Sequence, residues 1–242
     1  MGVDISVLNF LLKFRRQIKG KTLQLGRQGW HISRDPNTSN YQRAQAVLSS
    51  YDPAARLEDL AGDDNFTETL FRYLGSDSVT AMDASPYEGA EIVHDLNNPL
   101  PPELVGQFDT IFDGGTVEHV FNPVAAFQNV QQMLRTGGLL ISVNAANNQL
   151  GHGFYQFSPE FMWRMFSRDA GFEVKLMQLT VISETPEPMD APDPASEGRR
   201  LEIGFTPGAT YIMMGATKTA DVRPGRIAQQ SDYSSAWDRA GA

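Results

Sequence analysis

The chain has 242 residues, 41% of them hydrophobic and 20% charged, which suits a globular domain with a sizeable core. Its 20 basic and 29 acidic residues leave a formal net charge of -9, and so acidic a surface argues against nucleic acid or an anionic membrane as partner. There is no cysteine, hence no disulfide, thiolate zinc site or cysteine nucleophile, and with no long apolar run near Met1 a cytoplasmic protein is expected.

Apolar side chains at Ile5, Val7, Leu8, Leu11, Leu12, Phe14 and Ile18 predict a helix over residues 4–19, with Asp4 as N-cap and Gly20 as its stop. Thr22 to Leu25 reads as a first strand that ends at Gly26. Helices are expected over residues 41–51, 57–60 and 66–74, the last ended by Gly75. Ser78 to Met82 predicts a strand ending at Asp83, and residues 91–94 an extended segment ending at Asp95. Phe108-Asp-Thr-Ile-Phe-Asp113 predicts a buried strand that turns on Gly114-Gly115 and opens a helix carrying Glu118 and His119. Val124 to Leu134 has helical spacing and is stopped by Gly137-Gly138, before the apolar strand Leu139 to Val143. A helix over Pro159 to Ala170 ends at Gly171, and a strand follows over Phe172 to Ile182. Residues 184–200 hold four prolines and few core-forming residues, so an exposed loop is expected. Thr210 to Ala216 is the last apolar strand, and from Lys218 onward the chain reads as a polar surface tail. Apolar strands alternating with helices indicate a parallel sheet covered on both faces.

Such a sheet binds ligands beyond the carboxyl ends of its strands, where Asp83, Asp95, Asp113, Gly114 and Gly115 fall. His119 and His152 are the candidate general bases, since imidazole titrates near neutrality. His152 lies in Gln149-Leu-Gly-His-Gly-Phe-Tyr155, a glycine-flanked loop after the fifth strand. Tyr155 and Phe157 either wall an acceptor pocket or pack the loop, and His31 and His94 are assigned to structure. Asp83 also suits a simple turn, and His119 a packing role. A metal set of Asp113, Glu118 and His119 is conceivable, but no ligand spacing demands one and no metal is expected.

The strand ends at Asp83 and Asp95, the Phe108–Asp113 strand and Leu134-Arg-Thr-Gly-Gly-Leu-Leu-Ile-Ser142 together resemble the class I S-adenosylmethionine-dependent methyltransferases, over roughly Lys21 to Lys218. Val117-Glu-His-Val-Phe-Asn-Pro123 is similar to the post-strand segment of the small-molecule and sugar-tailoring members. The resemblance implies a Rossmann-like α/β fold: a seven-stranded, mostly parallel sheet with helices on both faces and an antiparallel last strand at residues 210–216. It divides the chain into an N-terminal helix (1–20), a methyltransferase-like domain (21–218) and a C-terminal tail (219–242). It implies S-adenosylmethionine as cofactor, held by Gly26, Gly29, Asp83, Asp95, Asp113, Gly114 and Gly115, with Asp83 on the ribose hydroxyls and Asp95 beside the adenine. The implied acceptor is an oxygen or nitrogen of a small molecule or carbohydrate.

The first strand departs from that pattern. Gln24-Leu-Gly-Arg-Gln-Gly29 stands where the family has an acidic residue followed by Gly-x-Gly-x-Gly. This motivates a second reading, a catalytically inactive methyltransferase-like binding or scaffold protein. A nicotinamide-binding Gly-x-Gly-x-x-Gly turn and a phosphate-binding Gly-x-x-x-x-Gly-Lys-Ser/Thr loop are both absent from the sequence.

Overall fold

In the computed structural model, which describes residues 2–204, 206–222 and 226–241, strand β1 (Gly2–Val3) leads into helix α1 (Ile5–Lys13). Asp4 caps α1 as expected, accepting a hydrogen bond from the Val7 N–H at 2.9 Å. The helix stops at Lys13, short of Gly20, because the chain turns at Phe14 to lay that ring on the sheet. Gly20 instead opens β2 (Gly20–Leu25) with φ +64, and a β-carbon there would stand 2.3 Å from the Asp109 carboxylate. Only glycine admits Asp109 at that spot, where it accepts from the Lys21 N–H at 2.8 Å.

The chain continues through β3 (Gly29–Trp30), α2 (Ser39–Tyr51), α3 (Glu68–Leu74), β4 (Ser76–Asp83), β5 (Ile92–Val93) and β6 (Phe108–Asp113). Then come α4 (Pro123–Met133), β7 (Leu134–Asn147), α5 (Pro159–Met165), β8 (Phe172–Val181), β9 (Pro188–Asp190), α6 (Pro194–Glu197), β10 (Thr210–Lys218) and α7 (Ser231–Ala240). The main sheet has the order β5-β4-β2-β6-β7-β10-β8-β9. The strands from β5 to β7 are parallel, and β10 runs antiparallel between β7 and β8. This is the mostly parallel Rossmann-like sheet with an antiparallel last strand that the sequence leads one to expect. From β2 the chain moves outward to β4 and β5, then returns to place β6 on the other side, so a topological switch point lies between β2 and β6.

One face of the sheet is covered by α1, α2 and α3, and the other by α4, α5 and the aromatic cluster of Phe127, Phe157, Phe166 and Phe172. Helix α1 is buried almost all round, with Ile5, Val7, Leu8, Phe10, Leu11 and Leu12 in the first of these cores. Lys218, at the end of β10, donates to the carbonyls of Gln131 (2.9 Å) and Leu134 (2.8 Å), which satisfies the carboxyl end of α4.

Further expectations need correction. Among the described residues the sheet has eight strands, because β9 forms inside the proline-rich segment that reads as an exposed loop. Its prolines leave Met189 and Asp190 free to pair: Asp190 accepts from Gln178 Nε2 at 2.7 Å, and the Ala191 N–H reaches the Met177 carbonyl at 2.9 Å. The helix expected to open at Glu118 is a single 3-10 turn, Val117–His119, and α4 starts afresh at Pro123 with Asn122 as its cap. Helix α4 ends at Met133, and the segment before Gly137-Gly138 already belongs to β7, with Leu134 opposite Phe108. Helix α5 ends at Met165, short of Ala170. The tail carries α7, whose first residue, Ser231, donates from its N–H and hydroxyl to Glu160 on α5 at 2.7 and 2.8 Å. Among the described residues no helix is long and apolar enough to cross a membrane.

Candidate active site at the switch point

The register puts Leu25 level with Met82 on one side and with Asp113 on the other, so β2, β4 and β6 end together. Above these ends lies a cavity of about 540 Å³, and Gly26, Gly29, Asp83, Asp95, Gly115 and His119 all line it. Gly26 has φ +65, and a β-carbon there would lie 3.0 Å from Thr116 Oγ1 and 3.7 Å from Asp83 Oδ2. The glycine thus keeps open the space between the end of β4 and the turn after β6. Gly115 turns the chain with φ +96.

The altered first loop is held from several sides. Gln24 is fully buried and donates through Nε2 to Thr67 Oγ1 at 3.0 Å, and the Thr67 hydroxyl donates to the Gln28 carbonyl at 3.1 Å. Gln28 and Thr116 both donate to the Leu25 carbonyl, Thr116 Oγ1 at 2.6 Å. Arg27 does not leave a bare positive charge in the cavity. It is paired with Glu68 at 2.6 Å and with Asp64, and its guanidinium lies 3.8 Å from the Phe66 ring centroid.

Asp113 and Gly114 are not on the cavity wall, and Gly29, which lines it, also has a structural task. Gly29 has an ordinary φ and serves the pairing of β3 with β1, where a β-carbon on Gly2 would strike its carbonyl at 2.1 Å. Gly114 makes room for Gln28, whose Oε1 would be 2.5 Å from a β-carbon there. Asp113 points away from the cavity, on the same face of β6 as Ile111, and is fully buried. It accepts from the Thr116 N–H (2.9 Å), Ser142 Oγ (2.9 Å) and Asn144 Nδ2 (2.7 Å), so its carboxylate braces the turn. Burial pushes its pKa up.

Asp83 offers a partly exposed carboxylate, of which Oδ1 accepts from the Ser85 N–H at 3.2 Å. Asp95 closes a small turn by accepting from the N–H and Nδ2 of Asn97 at 2.9 and 2.8 Å, and these bonds hold its pKa below the usual value. His31 and His94, assigned to structure from sequence, line the cavity, and His94 Nε2 is buried there without a hydrogen-bond partner among the described residues. Thr116 also lines it. Its position directly after the Gly114-Gly115 turn was the signal for it, while nothing in the sequence singled out His31.

His119 and His152 come together, with ring centroids 5.0 Å apart. The loop carrying His152 is tied to the turn after β6 by the N–H groups of Phe154 and Tyr155, which donate to the Glu118 carbonyl at 2.9 and 3.2 Å. Partial desolvation, then His152, pushes the His119 pKa down, which favours a neutral imidazole able to accept a proton. Between the two histidines and the sheet sits Glu118, 0% exposed, with Oε1 3.5 Å from His152 Nε2. Burial, then the Asp113 charge, raises its pKa to about 8. One donor atom from each of Glu118, His119 and His152 lies within 4.8 Å of the others. Beyond Val120 the cavity adjoins an open groove walled by Phe121, Val124, Tyr155, Phe157 and Phe161.

No protein-family model matches the chain, and no curated protein matches it. Among solved structures, it is similar to a methyltransferase from Bacillus halodurans described as putative, at 11% identity and TM-score 0.49, over 88% of this chain and 99% of that one. It is also similar to Burkholderia thailandensis 1,6-didemethyltoxoflavin-N1-methyltransferase, whose structure holds 1,6-didemethyltoxoflavin and S-adenosylhomocysteine. There the identity is 14% and the TM-score 0.46, over 89% of this chain and 78% of that one. A TehB-like methyltransferase from Corynebacterium glutamicum matches at 16% identity and TM-score 0.44, over 88% and 87% of the two chains.

Proposed function

We propose that this protein is an S-adenosylmethionine-dependent methyltransferase that acts on an oxygen or nitrogen of a small-molecule or carbohydrate acceptor. The observation that carries the reading is the cavity over the level ends of β2, β4 and β6, at the switch point of a parallel sheet, with Gly26, Asp83, Asp95 and Gly115 on its wall. These residues fit the cofactor: a left-handed glycine keeps the space clear, and Asp83 presents a carboxylate suited to a pair of ribose hydroxyls. Arg27, neutralised by two carboxylates, does not oppose a cationic ligand.

When bound, S-adenosylmethionine supplies a methyl group on a sulfonium that departs as a neutral thioether. The protein's part is to align the acceptor and exclude water. The groove of Phe121, Tyr155 and Phe157 would seat the acceptor's apolar face. His119 or His152 would take the proton from an acceptor hydroxyl or amine as its oxygen or nitrogen attacks.

The second reading, a binding or scaffold protein without catalysis, is favoured by one observation. Gln24 stands in place of the family's acid, and its amide is spent on Thr67 inside the protein. Calorimetric titration with S-adenosylmethionine and S-adenosylhomocysteine decides between them. Saturable binding, weakened in Asp83→Ala, supports the methyltransferase, whereas folded protein that binds neither ligand supports the scaffold.

A further inference from the structure

Glu118 is the least satisfied polar group of the site. It is wholly buried, and neither carboxylate oxygen makes a side-chain hydrogen bond among the described residues; only the backbone N–H groups of Glu118 and Ala145 lie near enough to favour its charged form. A buried carboxyl group left in this way is costly unless a cation or donor completes it. Its Oε1 faces His152 Nε2 at 3.5 Å, and His119 stands beside His152. Asp113, also fully buried, lies close enough to act on Glu118 electrostatically, so the pocket behind the carboxylate is acidic rather than basic. Two imidazoles and one carboxylate are thus gathered in front of the buried Asp113 carboxyl group.

We propose that Glu118, His119 and His152 bind one divalent transition-metal ion, zinc being the best match. Two imidazole nitrogens with one carboxylate oxygen suit zinc and its neighbours, whereas magnesium and calcium take oxygen ligands. Three protein ligands leave positions open for water or a bound molecule. Donor atoms around zinc, at ~2.0–2.1 Å from it, sit roughly 3.4 Å apart, so the present set must close by about an ångström. Both imidazoles are exposed and can turn to do so, while Glu118 is fixed. His119 also lines the cavity, so an ion held here would face whatever the cavity binds. The inference rests on these three side chains and does not depend on the methyl-transfer reading; an imidazole nitrogen spent on the ion does not serve as base, so ligand and proton acceptor are alternative roles for the two histidines.

The test is to strip the protein with chelator and titrate it with Co²⁺, following visible absorption, and with Zn²⁺ by calorimetry, both without S-adenosylmethionine. One ion per chain is expected. Glu118→Gln and His152→Ala should each weaken it by more than the about 10–100-fold that loss of an outer-shell partner costs. Gly151→Ala, next to His152 but with nothing within 4 Å of the added methyl, should bind as the parent does. Circular dichroism establishes that each variant is folded. Should Glu118→Gln fail to fold, the exposed His152 variant decides alone. Parent protein that takes up neither ion stoichiometrically, or unchanged affinity in His152→Ala, overturns the proposal.

Discussion

Gly153 packs directly on Glu118: a β-carbon at Gly153 would stand 2.9 Å from the Glu118 carbonyl oxygen and 3.1 Å from His119 Nδ1. The close approach lets the loop after β7 donate two backbone hydrogen bonds to that carbonyl and brings His152 over Glu118. Gly153→Ala should therefore force the loop off the turn and cost about 1–3 kcal/mol, the usual effect of overpacking. Gly151→Ala, two residues away and in open space, should change stability by less than about 0.5 kcal/mol. Urea unfolding of the pair measures both, and equal effects would show that the loop is not seated on Glu118.

Glu118 gives the metal-free protein a distinctive pH response. Its pKa rises from 4.5 to about 8 on folding, so between those values the folded protein holds a proton that the unfolded chain has released. The stability of the metal-free protein should fall as pH rises through this window, by a ceiling on the order of 5 kcal/mol at its upper end. Asp113 and Asp4, also raised by burial, act in the same direction. Glu118→Gln copies the protonated form and should flatten the curve between about pH 5 and 8. Denaturation series with chelator present, at several pH values, measure the difference; a variant whose slope matches the parent's would place the Glu118 charge elsewhere than in a dry pocket.

The parallel core of the fold is legible in the sequence because β4, β6 and the apolar part of β7 are short segments with apolar residues at their centres, β4 and β6 each ending in an aspartate. The same logic places Asp83 at the end of β4 and the Gly114-Gly115 turn after β6. It misplaces Asp113, since a strand-end carboxylate reads alike whether it points to a ligand or to Ser142 and Asn144, and only the register of β6 against β7 decides. It misses β9 because the pairing of Asp190 with Gln178 lies between residues twelve apart, with no local periodicity to announce it. The meeting of His119 with His152 is likewise tertiary: it depends on Gly153 and on the two donors to the Glu118 carbonyl.

Phe14, the residue that ends helix α1, packs on a glycine of the sheet. A β-carbon at Gly215 in β10 would stand 2.1 Å from Cζ of Phe14, whose ring lies flat on the space that glycine leaves. Gly215→Ala should destabilise the protein by about 1–3 kcal/mol through this clash. Phe14→Leu alone should also destabilise, by loss of buried area. Combined with Gly215→Ala, it should recover part of the loss, so that the two changes are not additive. A double-mutant cycle by thermal or urea unfolding tests this, and simple additivity would mean that the ring and the glycine do not meet.

Asp83 and Asp113 end β4 and β6, the two strands that flank β2, yet their substitutions should be read out by different measurements. Asp83 carries a partly exposed carboxylate on the cavity wall, which accepts one hydrogen bond, from the Ser85 N–H, among the described residues. Asp83→Ala should leave the fold intact and weaken S-adenosylmethionine by about 1.5–3 kcal/mol, the worth of hydrogen bonds to a charged group. Asp113 is fully buried and satisfies Thr116, Ser142 and Asn144. Asp113→Ala would orphan these donors and should cost stability first, about 1–3 kcal/mol for each that finds no substitute. Calorimetry on the first variant and urea unfolding on both separate the two roles. A stable Asp113→Ala protein with impaired cofactor binding would return Asp113 to the ligand side, and unaltered affinity in Asp83→Ala would remove Asp83 from it.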